Sequence, residues 1–132
     1  MRLIIGGYAQ GKLNYILQKD GADKYAVWDG VLPDEYQMQE ASTQGKKVLI
    51  HHFHSWVKER LLQGGNPQEE IVSFLEKSPD CTIISDEIGN GIVPIDVFER
   101  EYRERTGRIL VELASRADEV VRVICGIGQK IK

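Results

Sequence analysis

The chain has 132 residues, 42% hydrophobic and 28% charged, with a net charge of −3 and a pI near 5.6. This is the make-up of a folded globular chain; it excludes long disorder, and its mild acidity argues against broad electrostatic binding to nucleic acid. The longest apolar runs are too short to cross a bilayer, and the opening Met1-Arg2-Leu3-Ile4-Ile5-Gly6-Gly7 lacks the apolar stretch and cleavage site of a signal peptide, so it reads as a strand in a cytoplasmic protein.

In chain order, Arg2 to Ile5 is a short buried strand rich in branched side chains, ended by Gly6-Gly7. A helix follows from about Gly11 to Lys19 and stops at Asp20-Gly21. Lys24 to Trp28 has strand composition and closes at Asp29-Gly30, and Pro33 to about Thr43 resembles a short helix. Lys46 to His51 is the next strand. From His54 to Leu62 the pattern is helical, and Asn66-Pro67 caps a further helix to Lys77. Cys81 to Ile84 is a buried strand, Ser85 to Pro94 a glycine-rich loop, and Asp96 to about Arg116 a long helix. Gly107 inside that helix weakens it by about 1 kcal/mol relative to alanine, which suggests a kink, a close packing contact or a site. Glu119 to Cys125 is a final strand, Gly126-Ile127-Gly128 a turn, and Gln129 to Lys132 a terminal hairpin arm. Cys81 and Cys125 both read as small apolar residues in β-rich runs, not as a disulfide. Strands alternating with helices predict βαβ units and a mostly parallel sheet flanked by helices in one domain, residues 1–132.

Gly6-Gly7-Tyr8-Ala9-Gln10-Gly11-Lys12-Leu13 joins a strand to a helix and fits Gly-x-x-x-x-Gly-Lys. Glycines allow several N–H groups to point at one phosphate, the helix N-terminus adds its positive end, and Lys12 adds a charge. Gly6, Gly7, Gln10, Gly11, Lys12 and Leu13 are therefore the expected nucleotide-binding residues of a P-loop NTPase-like α/β fold. The plainer reading is a glycine turn that merely joins strand to helix. A full motif ends in Ser or Thr, whose hydroxyl ligates magnesium; Leu13 cannot do so.

Ser85-Asp86-Glu87-Ile88-Gly89-Asn90-Gly91-Ile92-Val93-Pro94 closely resembles the Ser/Thr-Asn-Glu-Val-Gly-x-Gly-Ile-Val-Pro of the adenosylcobinamide kinase / adenosylcobinamide-phosphate guanylyltransferase family. Tyr102 to Arg108 resembles its Phe-Arg-Asp-x-x-Gly-Arg, Ala117 to Val120 and Gly126 to Lys132 resemble its closing stretch, and Trp56 with Leu61-Leu62 its Thr-x-Trp-x-x-Asn-Leu-Leu. The resemblance is dense from Cys81 to Lys132 and looser from Met1 to Lys12. It implies a homo-oligomeric protein of cobalamin nucleotide-loop assembly, with ATP or GTP as substrate and cobinamide as acceptor. The implied chemistry is phosphorylation of cobinamide, then GMP transfer through a guanylylated histidine.

This chain departs from that pattern. His51 stands where an acid is expected at the end of the Val48-Leu49-Ile50 strand, and Asp86 replaces the usual Asn. Glu59 falls near an Asn of the pattern, and Leu110 and Val111 replace an Asn-Gln. No histidine lies between Leu13 and Lys46, where the guanylylated one belongs, so the guanylyltransferase step reads as lost. Kinase chemistry would need magnesium held by phosphates, water and Glu87.

Glu87, at a strand end in a glycine loop, is the expected catalytic carboxylate beside Lys12, or else a loop acid capping backbone; Gly89 and Gly91 are its nucleotide-contacting neighbours. His51, His52 and His54 cluster at a strand end. If the strand persists, His52 and His54 share a face opposite His51, so a metal site would need outside help, for instance from Glu87. They read as candidate ligand contacts at the carboxyl edge of the sheet, as does Arg108. Asp20, Asp29, Asp34 and Glu35 read as turn and helix-start residues. Three functions fit: cobinamide kinase-like transfer, a catalytically inactive nucleotide- or corrinoid-binding regulatory homologue, or a nucleotide-binding oligomer with another substrate.

Overall fold

Six strands form one sheet in the order β2-β3-β4-β1-β5-β6. They are β1 (Arg2–Gly6), β2 (Tyr25–Asp29), β3 (Lys47–His51), β4 (Thr82–Asp86), β5 (Glu119–Ile124) and β6 (Ile127–Lys130). All neighbours run parallel except β5 and β6. The helices are α1 (Lys12–Asp20), α2 (Glu35–Thr43), α3 (Phe53–Leu62), α4 (Pro67–Lys77) and α5 (Val97–Arg116). The computed structural model describes residues 1–89 and 95–132; Gly91, expected to contact nucleotide, lies outside the described residues. The architecture is the P-loop NTPase-like α/β fold that the alternation of elements predicts.

The central strands carry apolar residues on both faces at their centres because both faces are covered. Leu3, Val48, Ile50, Ile83 and Val120 face a core with Phe53, Trp56 and Val57 of α3, Ile71 and Phe74 of α4, and Ile109 and Leu113 of α5. Their neighbours Ile4, Leu49, Ile84 and Val121 turn to the opposite face, where Ile16 of α1 packs. This period of two, held on both faces, fixes the register and so the height at which each strand ends.

Local chemistry starts the helices. Asp34 and Gln37 form a reciprocal capping box on α2. Asn66 accepts from Glu69 N–H with Pro67 at the first helical position, and Asp96 accepts from Glu99 N–H.

Four local expectations are corrected. Strand β4 runs on through Ser85 to Asp86, because its pairing with β1 continues as far as Gly6 opposite Asp86. The last hairpin turns at Cys125-Gly126, both with positive φ (51° and 77°), so β6 begins at Ile127 and Cys125 is exposed instead of packed. Helix α5 passes through Gly107 as one element, and a Cβ there would meet nothing within 4 Å, so no close packing contact explains that glycine. Asp20 does not serve a turn: it pairs with Arg2 (2.8 Å) and accepts from the Tyr25 hydroxyl. Burial works against its charge, and those two hydrogen bonds outweigh it, holding the carboxyl below its usual range.

Candidate functional site

Parallel pairing brings the ends of β1, β2, β3 and β4 to one edge, the edge where α/β sheets take ligands. A cavity of about 360 Å³ opens there, lined by residues 8–14, His51, His52 and Asp86. Its floor is the glycine loop. Gly11 precedes α1 in a left-handed conformation (φ 80°) without any side-chain cap, and Ala9 is left-handed too (φ 55°). Left-handed residues in such a loop allow successive N–H groups to converge on an anion, and α1 contributes its positive end.

The two loop glycines before it have different reasons. A Cβ on Gly6 would lie 2.5 Å from the Val123 carbonyl oxygen, so only glycine lets the loop leave β1 against β5. Gly7 has ordinary room; its carbonyl oxygen accepts from Lys12. Gln10 lines the cavity and also ties the loop down. Its side-chain oxygen accepts from Cys125 N–H and its carbonyl from Gly126 N–H, both at 2.8 Å, which stitches the loop to the β5–β6 turn. Leu13 lines the cavity without offering a polar atom.

Lys12 is buried, and its ammonium donates to Gly7 O (2.6 Å), Gly6 O (3.4 Å) and Asp86 Oδ1 (2.7 Å). All three N–H donors are thus spent on the loop backbone and on the end of β4. Asp86 is held on its other side by His54 of α3. Its backbone N–H donates to His54 Nδ1 (3.1 Å), which assigns the imidazole proton to Nε2, 3.4 Å from Asp86 Oδ2. Burial lowers the pKa of His54, in keeping with a neutral ring.

The histidines do not follow strand alternation. Strand β3 ends at His51, and His52 adopts a left-handed conformation (φ 53°, ψ 47°) as the residue before α3. His51 and His52 therefore stack, ring centroids 3.7 Å apart, while His54 departs with the helix. Asp29 lies beside His51 in the β2–β3 register; its Oδ1 is 2.5 Å from His52 Nδ1 and 4.0 Å from His51 Nδ1. Asp29 is thus part of the site edge, not only a turn residue. Burial, then the neighbouring His52, lowers the pKa of His51.

Glu87 is not in the cavity lining. Arg122 of β5 grips it with two contacts of 3.0 Å, Nε to Oε1 and one terminal nitrogen to Oε2. Its backbone N–H donates to Gly6 O (2.8 Å). The expected catalytic carboxylate therefore braces the loop, and Asp86 is the carboxylate at the lysine. Gly89 has a positive φ (102°) and lies outside the lining; Arg108 is exposed on α5 and pairs with Glu104 one turn away. Sequence reasoning passed over Asp29 and Arg122, whose roles depend on strand register alone.

Kinase chemistry would need magnesium at this edge, where its usual ligands are already missing from the sequence. Magnesium takes oxygen ligands in near-octahedral array. Leu13 has none to give, His51 and His52 offer nitrogen, Asp86 is engaged by Lys12, and both Glu87 oxygens face Arg122. Among the described residues, these positions do not supply the oxygen set of that ion.

The model of the family described as cobinamide kinase / cobinamide phosphate guanyltransferase matches residues 18–131. The bifunctional adenosylcobalamin biosynthesis protein CobU of Escherichia coli K12 is 33% identical over 108 residues, which is 76% of this chain and 60% of that protein. Its counterpart in Salmonella typhimurium LT2 is 46% identical over 63 residues, 47% of this chain and 35% of that protein. The chain thus spans less than two thirds of the length of either relative. The family match begins inside α1, so the glycine loop rests on its own geometry. The family model covers residues 18–131, most of the sheet and its helices: the chain belongs to the cobinamide kinase / cobinamide phosphate guanyltransferase family.

Proposed function

We propose that this chain binds a nucleoside triphosphate, ATP or GTP, on its glycine loop and transfers phosphate to cobinamide, in the manner of a cobinamide kinase without the guanylyltransferase step. The observation that carries this reading is Lys12 at the start of α1, its ammonium held by the Gly6 and Gly7 carbonyl oxygens next to a cavity of about 360 Å³. On binding, the phosphates take over the donors that Lys12 now spends on Gly7 O and Asp86. The absence of histidine between Leu13 and Lys46 supports the loss of guanylyl transfer. Exposed Ile127 and Ile131 along the β6 edge support a homo-oligomer.

The misfit to magnesium favours a second reading, a nucleotide- or corrinoid-binding regulatory protein without turnover. Calorimetry with ATP and GTP, followed by assay for cobinamide phosphate, separates the two. Binding with product supports the first; binding without product supports the second. Lys12→Ala is expected to weaken triphosphate binding at least tenfold, and unchanged affinity would refute the kinase reading and the nucleotide-binding form of the second.

A further inference from the structure

We infer that Asp29, His51 and His52 form a binding site for a borderline divalent transition metal ion, with zinc as its type, on the rim of the glycine-loop cavity. This goes beyond the proposed function and does not rest on it. One ligand atom from each of the three residues lies within 4.8 Å of the other two. Zinc holds nitrogen and oxygen at about 2.1 Å, which puts tetrahedral ligand atoms about 3.4 Å apart. The observed 2.5 Å and 4.0 Å separations from Asp29 fall on either side of that spacing, the two imidazole nitrogens lie within 4.8 Å of each other, and rotation of the two rings out of their stack turns their lone pairs onto a common ion.

Backbone, not chance contact, gathers the ligands. Register pairs Asp29 with His51 at the ends of two adjacent parallel strands, and Gly30 N–H donates to His51 O (2.8 Å) to hold those ends together. The left-handed turn at His52 carries its ring back over His51. His54 is excluded, because its Nδ1 already accepts from Asp86 N–H. Two imidazoles and one carboxylate suit zinc, cobalt or nickel and not magnesium or calcium. Three protein ligands leave one position open, and His51 and His52 line the same cavity as Lys12. An ion there would add positive charge to a pocket in which Lys12 is already paired with Asp86. The competing explanation is that Asp29 only hydrogen-bonds His52.

The test uses the full chain with Cys125→Ser, which removes the exposed thiol, stripped with chelator and free of nucleotide. Calorimetric titration with zinc chloride is expected to give one ion per chain with micromolar or tighter affinity. Asp29→Asn and His52→Asn are each expected to weaken it at least tenfold; asparagine tolerates the left-handed backbone at position 52. Millimolar magnesium is expected not to displace zinc. Titration of the unsubstituted histidines with Co2+ adds a measurement that needs no ligand variant: the ring signals of His51 and His52 should shift and broaden together. Absence of zinc binding, an affinity in either variant unchanged from that of the parent, displacement by magnesium, or a cobalt effect that spares His51 and His52 would each overturn the proposal. Because no nucleotide is present, failure of phosphate binding leaves this result readable.

Discussion

Asp86 sets the availability of Lys12, and replacing it by asparagine tests that directly. The two side chains meet at 2.7 Å, with Lys12 6% and Asp86 15% exposed. At that distance and an effective dielectric near 20, the gross Coulomb attraction is about 6 kcal/mol. Much of it offsets desolvation, and the net value of a hydrogen bond to a charged group is about 1.5–3 kcal/mol. A triphosphate must displace this contact and also approach the carboxylate's own charge. Asp86→Asn keeps an oxygen for Lys12 but removes the charge, so triphosphate binding should tighten by about 10–100-fold, the equivalent of that range. The folded state should meanwhile lose about 1–2 kcal/mol, because the buried lysine loses its counter-charge. Calorimetric titration of ATP and GTP into both proteins at fixed ionic strength reads the first effect, and thermal denaturation the second. Unchanged or weaker nucleotide binding in the variant would refute the reasoning and show that the carboxylate assists the ligand.

Three other outcomes follow from the packing. Gly6→Ala should lower stability by about 1–3 kcal/mol, since the new Cβ meets the backbone oxygen of Val123 at 2.5 Å; Gly128→Ala should cost less, because what it meets is the half-buried Tyr15 ring, which can rotate. Thermal midpoints compare the two, and equal losses would contradict the distinction between backbone and side-chain neighbours. Iodoacetamide should label Cys125 in the native protein and Cys81 only on unfolding, since burial pushes the Cys81 thiol up to about 12; mass spectrometry of the labelled peptides decides it. Tyr102 donates to the His54 carbonyl, and burial, then the charges of Glu99 and Asp86, push its phenol up to about 12 from an ordinary 10. The folded state keeps this proton after the unfolded chain has lost it. Stability should therefore fall as pH rises from 10 towards 12, by at most about 1.4 kcal/mol per pH unit for this group. Tyr102→Phe should remove that part of the slope in denaturant titrations.

The amino-acid sequence alone carried the order of elements and the loop. Branched runs, glycine breaks and caps such as Asp34 and Asn66 act within a few residues, so they are legible without the fold. The run from Gly6 to Lys12 is likewise a local signal, joining one strand to one helix. What the tertiary structure decided is which side chains meet at the sheet edge. Asp86 reaches Lys12 because β4 pairs with β1 up to Gly6; Asp29 joins His51 because β2 and β3 end at one height; Glu87 is turned away by Arg122, a residue of a strand formed much later in the chain. Each of these is a matter of register between strands distant in sequence. Register is set by simultaneous burial on both faces of the sheet, a cooperative property that no single segment contains.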